Sequence, residues 1–91
     1  MQASTRIAVA GATGRVGRHI VDVLGERRHQ VVAISRSAGV DVVTSGGLDR
    51  ALEGVDVIID AATGPSREEQ AATEFFIAAG RNLGQAGQRA R

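Results

Sequence analysis

The 91-residue sequence predicts an α/β fold, with helices on both faces of a parallel sheet. Two observations predict it. Short apolar runs alternate with segments of helical periodicity along the chain, which is typical of parallel strands joined by helical crossovers. The first apolar run also leads directly into three evenly spaced glycines, Gly11, Gly14 and Gly17. Right-handed crossovers then predict a three-layer structure with strand order 3-2-1-4.

The first strand, helix and second strand are expected within residues 5–34. Thr5 to Ala10 predicts a buried strand, and Val31 to Ile34 predicts the second strand. The apolar positions that recur at helical spacing between them are Val16, Ile20, Val23 and Leu24. A strand, a glycine turn, a helix and a strand in this order form a βαβ unit.

The second half of the sequence predicts two further strands. Val40 to Thr44 predicts a short third strand, which ends at Ser45-Gly46-Gly47. Leu48 to Glu53 predicts a short helix, and Val55 to Ala62 predicts a mostly apolar fourth strand. A capping box that begins at Ser66 predicts a helix extending to about residue 90. The chain is then expected to end after the helix that follows strand four, the fourth helix of such a half-domain.

The glycine turn predicts a phosphate-binding site. Gly11 permits the tight turn, Gly14 lets the backbone approach the phosphates, and Gly17 lets the helix pack closely against the strand. Backbone N–H groups and the helix dipole at this point stabilise a pyrophosphate without a lysine. The sequence therefore predicts a Rossmann-like dinucleotide-binding domain. The alternative is a glycine-rich surface loop that binds no ligand.

The residues after strand two predict the coenzyme. NAD-selective domains carry an acidic residue there, whereas an arginine pairs with the 2′-phosphate of NADP. Ser35, Arg36 and Ser37 offer a guanidinium between two hydroxyl groups, so NADP is the expected coenzyme and NAD the second choice. The alternative is that Arg36 is an ordinary solvated loop residue. Arg15 could also reach a phosphate, and a solvated side chain is an equally good interpretation there.

Composition excludes several classes of protein. With no cysteine, the sequence has no disulfide and no thiolate metal site, which fits the expected cytoplasmic location. The net charge of +1 does not favour nucleic acid or a membrane surface as a partner. No apolar run is long enough to span a bilayer. His19 and His29 have no carboxylate at metal-ligand spacing, so we expect no metal and no catalytic histidine.

Four segments together resemble a known family. These are Gly-Ala-Thr-Gly-Arg-Val-Gly-Arg-His at 11–19, Ser-Arg-Ser at 35–37, Leu-Glu-Gly-Val-Asp-Val-Ile-Ile-Asp-Ala-Ala at 52–62, and the helix with Glu-Phe-Phe at 74–76. The sequence resembles the N-terminal half of atypical or extended short-chain dehydrogenase/reductase proteins, particularly the NAD(P)H-binding, NmrA-like branch. Family members are well over twice this length, and their C-terminal half supplies the substrate pocket.

The resemblance implies a role for particular residues. It implies that the pyrophosphate is lined by Gly11, Ala12, Thr13, Gly14, Arg15, Val16 and Gly17. It also implies that Arg36 meets the adenosine ribose, and that Ala61, Ala62 and Thr63 border the adenine or the middle of the coenzyme. Many relatives carry an acidic residue after strand three that contacts adenine, whereas Ser45-Gly46-Gly47 follows that strand here.

These expectations lead to one interpretation of function and two alternatives. Residues 1–91 are expected to form a single NAD(P)-binding half-domain without the C-terminal substrate half. Since the sequence contains no Tyr and no Lys, the family's Tyr/Lys proton relay cannot be built and no catalytic residue is expected. One alternative is an oxidoreductase whose second half comes from another chain. The other is an NADP-sensing regulatory protein of the NmrA-like type.

The expected partners follow from the edge of the sheet. Strand four would lie at an open, apolar edge, which favours pairing with another chain. We therefore expect either a homo-oligomer or pairing with the missing C-terminal half.

Overall fold

A computed structural model describes residues 5–62 and 69–90, with the side chains of all of them except residues 69–71. The elements in chain order are β1 (Arg6–Ala10), α1 (Arg15–Glu26), β2 (Gln30–Ile34), α2 (Leu48–Ala51), β3 (Val57–Asp60) and α3 (Glu69–Arg89). A single turn of 3₁₀-helix at Arg36–Ala38 follows β2. The α/β class and the alternation of strands and helices are confirmed.

The three strands form one parallel sheet with β1 in the centre, in the order β2-β1-β3. Ala10 lies beside Ile34 of β2 on one side and Asp60 of β3 on the other. Because the strands are parallel, their carboxyl ends meet at one edge of the sheet. Ligands bind at this edge in open α/β sheets.

Two apolar clusters hold the layers together, one on each face of the sheet. On the first face, Ile7 and Val9 of β1 pack beneath α1 with Ile20 and Leu24. On the second face, the buried side chains come from β1, β2, α2, α3 and the segments between them, and include Ala8, Ala10, Ile34, Val40, Leu48, Leu52, Ala62, Leu83 and Ala86. Side chains alternate between the two faces of a strand, so β1 contributes to both clusters.

The predicted third strand is wrong. Residues 40–44 form a turn in which the Asp41 Oδ1 atom accepts the N–H groups of Val43 at 2.8 Å and Thr44 at 3.2 Å. The Asp41 N–H also donates to the Gly46 carbonyl at 2.9 Å. This local pairing competes with strand formation, because it uses donors that a sheet ladder would need. The predicted order 3-2-1-4 is therefore reduced, within the described residues, to strands two, one and four.

The remaining differences concern the ends of elements and the number of helices. The predicted fourth strand, 55–62, is confirmed over Val57–Asp60 only, and the short helix over Leu48–Ala51. Three α-helices rather than four are found within residues 5–62 and 69–90. Ser66 of the predicted capping box lies outside the described residues. None of the helices in this described part of the chain is both long and apolar enough to cross a membrane.

Candidate functional site

A cavity of about 580 Å³ opens at the carboxyl edge of the sheet. Its wall begins at the glycine turn with Gly11, Thr13 and Gly14, and continues through residues 34–37 at the end of β2 to residues 40–44. Ala61 and Ala62 after β3 and Phe75 of α3 complete it. The cavity thus extends from the end of β3, across β1, to a point beyond β2.

Gly11 joins the ends of all three strands. Its N–H donates to the Ile34 carbonyl at 3.0 Å, and its φ of +74° is a conformation that side chains disfavour. A Cβ atom there would lie 2.6 Å from the Ala61 carbonyl oxygen. Gly11 therefore accepts no other residue without movement of the backbone.

Gly17 and Gly14 have different constraints. A Cβ atom on Gly17 would overlap the Gly11 carbonyl, so α1 can pack on this turn only with glycine at that position. A Cβ atom on Gly14 would be 3.4 Å from the same carbonyl oxygen, and Gly14 has an ordinary φ of −75°. The folded backbone therefore does not require glycine at position 14. What its missing side chain provides is open space at the cavity wall.

The first turn of α1 is left uncapped. Gly14 is the N-cap residue, no side chain of residues 5–62 or 72–90 caps the helix, and the first turn contains no acidic residue. The first helical bond is donated by Arg18 to the Gly14 carbonyl at 2.8 Å, so the N–H groups of residues 15–17 have no helical acceptor. With the helix dipole, these donors make a site for an anion.

The predicted pyrophosphate residues divide into two groups. Gly11, Thr13 and Gly14 line the cavity. Ala12 is buried in the cluster beneath α1, and the Val16 side chain is 63% exposed. Arg15 lies in a separate groove with Arg18, His19 and Asp22. Any contact of residues 15–17 with a ligand would therefore come from the backbone, and their role in binding stays a prediction.

Ser35, Arg36 and Ser37 lie together at the cavity wall, at the end of β2. The two serine hydroxyl oxygens are 2.9 Å apart and share a hydrogen bond, so one hydroxyl proton is used between them. Arg36 is exposed and forms no ion pair within the described part of the chain. Its guanidinium is therefore available to a ligand.

Residues 40–44, beyond β2, form the far wall of the cavity. The sequence did not predict that this segment lines the site. Asp41 lines the cavity, whereas the family resemblance implies an acidic residue at the position of Ser45-Gly46-Gly47. Phe75 contributes from α3. Oδ1 of Asp41 holds the turn, and Oδ2 forms no hydrogen bond among the described residues. A signal was available: a carboxylate in the middle of the apolar run 40–43 fits a turn better than a buried strand.

The end of β3 forms the opposite side of the cavity. The Ala61 N–H donates to the Ala10 carbonyl at 3.0 Å, and Ala62 is buried. Asp60 Oδ1 accepts the Ala62 N–H at 3.0 Å and so ends the strand. Thr63 lies outside the described residues. Within residues 5–62 and 69–90, no group of three acidic or histidine side chains could hold a metal ion.

Solved structures share this fold. A short-chain dehydrogenase/reductase superfamily protein from Agrobacterium tumefaciens, with bound NAD, aligns with a TM-score of 0.74 and 22% identity over 93% of this chain and 29% of that one. UDP-N-acetylglucosamine 4-epimerase from Bacillus cereus aligns with a TM-score of 0.77 and 24% identity over 96% of this chain and 36% of that one.

A protein from Burkholderia pseudomallei is 32% identical, with a TM-score of 0.73, over 94% of this chain and 43% of that one. The chain thus spans less than half the length of each of these three structures. No curated protein matches the sequence significantly.

The sequence also matches a family directly. Residues 7–83 match the NAD dependent epimerase/dehydratase family, and this segment includes the glycine turn, β2, β3 and all of β1 except Arg6. The expected fold of short-chain dehydrogenases/reductases is confirmed by these structures. A nicotinamide dinucleotide as the coenzyme class is confirmed at the level of the family. The NmrA-like branch stays a prediction. The chain belongs to the NAD-dependent epimerase/dehydratase family.

Proposed function

We propose that this chain is the coenzyme-binding domain of a short-chain dehydrogenase/reductase-like oxidoreductase, with NADP preferred over NAD. The observation that carries the proposal is the uncapped first turn of α1 beside the cavity. Gly14 offers no side chain to cap the helix, and the N–H groups of the first turn need an acceptor. A pyrophosphate supplies that acceptor and complements the helix dipole.

The shape of the cavity supports one direction for the coenzyme. With the pyrophosphate at the glycine turn, the wall leads past Arg36 at the end of β2 and on to residues 40–44. The adenosine ribose then lies beside Arg36, and the adenine lies against the far wall. There Oδ2 of Asp41 can accept a hydrogen bond from the adenine amino group.

The proposed preference for NADP rests on Arg36. Its guanidinium is exposed, has no carboxylate partner among the described residues, and lies beside the paired Ser35 and Ser37 hydroxyls. Such a group forms charge-assisted hydrogen bonds with a 2′-phosphate. NAD lacks this phosphate and would use the rest of the site unchanged.

We further propose that the 91 residues form a single coenzyme-binding half-domain that does not catalyse by itself. They contain no Tyr and no Lys, so no Tyr/Lys pair can donate a proton beside a hydride donor. The groups that bind and turn over the substrate would come from a C-terminal half or a second polypeptide. The second candidate function is an NADP-sensing regulator of the NmrA-like type, which would use the same coenzyme site.

Calorimetric titration at fixed salt tests coenzyme binding. NADP and NAD are titrated into the wild type and into Gly14→Val, whose side chain would fill the space left for the phosphates. Both coenzymes should bind the variant more weakly by the same factor, because the pyrophosphate is common to both. A variant that binds both as tightly as the wild type would contradict the proposed site.

Absorbance of NADPH tests the proposed lack of catalysis. With carbonyl, quinone or imine substrates, the wild type should consume NADPH no faster than Gly14→Val. A steady loss of NADPH absorbance above this control would contradict the proposed lack of catalysis. Coexpression with a polypeptide that supplies a C-terminal half should produce activity if the chain is one part of an oxidoreductase. A coenzyme-dependent pull-down would instead favour the regulator.

We also propose that the chain associates through β3 or α3. Among the described strands, β3 pairs with β1 on one side only, and Val57 on it is 45% exposed. Phe76 and Ile77 of α3 are exposed as well. Light scattering should detect a dimer or larger assembly, and Val57→Lys should weaken it if β3 is the interface. A monodisperse monomer at high concentration would contradict the proposal.

A further inference from the structure

Asn82 of α3 is bonded to the far wall of the cavity. Its side-chain Nδ2 atom donates to the carbonyl oxygens of Val42 at 2.9 Å and Val43 at 2.6 Å. Asn82 lies 40 positions beyond Val42 and 39 beyond Val43 in the chain, so the contact is made only by the folded protein. One amide thus satisfies two consecutive carbonyl groups that no strand pairs.

The segment that Asn82 holds carries Asp41. Residues 40–44 have no sheet ladder, and their other hydrogen bonds are local: the Asp41 turn, and the Val40 N–H bond to the Ser35 carbonyl at 3.1 Å. Val40 and Val42 also pack in the core, but the Asn82 amide provides the hydrogen bonds that join this segment to α3. Asn82 therefore ties this segment to the helix that also supplies Phe75 to the cavity. Leu83, next to Asn82, is buried in the core and anchors that part of α3.

The chemistry of the contact requires an amide. An Asn side chain has two N–H donors on one nitrogen, which matches two neighbouring carbonyl oxygens. A carboxylate at the same position would offer no donor and would face both carbonyl dipoles with a negative charge. An apolar side chain would leave the carbonyls without this partner.

We infer that Asn82 is a positioning residue for recognition of the coenzyme's base, acting through the segment 40–44. The inference rests on the proposed function, because it takes the adenine to lie at that wall. Asn82 touches the wall and not the ligand. Its loss should therefore remove discrimination between bases and leave the 2′-phosphate preference set by Arg36 intact.

Discrimination is measured with NADP and its deamino analogue, in which hypoxanthine replaces adenine. The wild type should bind NADP about tenfold more tightly, since Asp41 accepts from the amino group and repels the hypoxanthine carbonyl. In Asn82→Asp and Asn82→Ala the ratio should fall to near one, while NADP remains preferred over NAD. Arg89→Ala is the matched control, because Arg89 joins α3 to Asp49 of α2, away from the cavity. This variant should show the same ratio of NADP affinity to deamino-NADP affinity as the wild type.

The outcomes distinguish failure of the proposed function from failure of the inference about Asn82. If the wild type binds neither NADP nor NAD, the proposed function fails and the inference falls with it. If the wild type binds NADP but shows no base preference, or if the Asn82 variants keep that preference while binding both ligands more weakly, Asn82 is only structural and the inference is wrong.

If the Asn82 variants do not fold, a measurement on the wild type tests the inference. The side-chain amide protons of Asn82 should change chemical shift when NADP is added, and much less when inorganic pyrophosphate is added. Amide signals that stay unchanged at saturating NADP would overturn the inference.

Discussion

The two ends of the cavity are built by different means. The glycine turn is shaped by backbone alone: Gly11 bonds to the Ile34 carbonyl, and Gly17 packs directly on Gly11. The far wall, at residues 40–44, is shaped by side chains, with Asp41 closing a turn and Asn82 holding two carbonyls from another helix. The first end tolerates almost no change in shape, whereas the second can be altered one hydrogen bond at a time.

The largest effect should come from the glycine turn. Gly17→Ala puts a methyl group onto the Gly11 carbonyl, and neither backbone can move without displacing β1 or α1. We expect the free energy of unfolding to fall by about 3 kcal/mol. Urea unfolding followed by circular dichroism measures it.

Gly25→Ala is the matched control in the same helix. A Cβ atom on Gly25 would meet no atom of the described residues within 4 Å, so this variant should gain about 0.5–1 kcal/mol in the free energy of unfolding. Equal effects of the two substitutions would mean that the close packing of α1 on the turn is not what requires glycine.

The second largest effect should come from Arg36, which lies between the two ends of the cavity. Arg36→Ala should abolish most of a preference for NADP over NAD on the order of 10- to 100-fold, because a charge-assisted pair contributes roughly 1.5–3 kcal/mol. NAD binding should be nearly unchanged. Calorimetry at one salt concentration measures both.

Arg50→Ala controls for the loss of one positive charge. Arg50 is exposed on α2 and does not line the cavity, so the preference should be retained. If NAD binds the wild type as tightly as NADP does, or if Arg36→Ala changes neither affinity, the role assigned to this arginine is wrong.

A smaller effect on stability is expected at the far wall. Asp41→Ala removes the oxygen that accepts the Val43 and Thr44 N–H groups, and should lower the free energy of unfolding by about 1 kcal/mol. Asp41→Asn keeps an acceptor oxygen and should lose less. Thermal unfolding compares the two. If Asp41→Ala is as stable as the wild type, the turn does not depend on this side chain.

The smallest effect should come from a contact that belongs to neither end. The ion pair between Arg89 and Asp49 is 2.8 Å long, but the two side chains are 50% and 68% exposed. Exposed pairs of this kind contribute about 0–1 kcal/mol, so Arg89→Ala should change stability by less than about 0.5 kcal/mol. A larger loss in the same unfolding assay would show that this pair, and not the core, fixes α3 on α2.

The same comparison explains what could be predicted from the sequence. The glycine turn and the strands beside it were predicted, because a Gly-x-x-Gly-x-x-Gly spacing after an apolar run specifies local geometry. The prediction of a third strand was wrong, and the sequence did not predict the far wall. Val40 to Thr44 has the composition of a strand, but its backbone is bonded within a turn and to Asn82, a residue 39 positions beyond Val43. A contact over that distance leaves no periodic signal in the sequence.

The two hydrogen bonds of Asn82 also link the cavity to the unfolding of a helix. When α3 opens, the carbonyls of Val42 and Val43 lose their partner and the far wall is released with it. A ligand that needs this wall binds only the closed form, so saturating NADP should slow amide hydrogen exchange along α3, including residues that never touch the coenzyme.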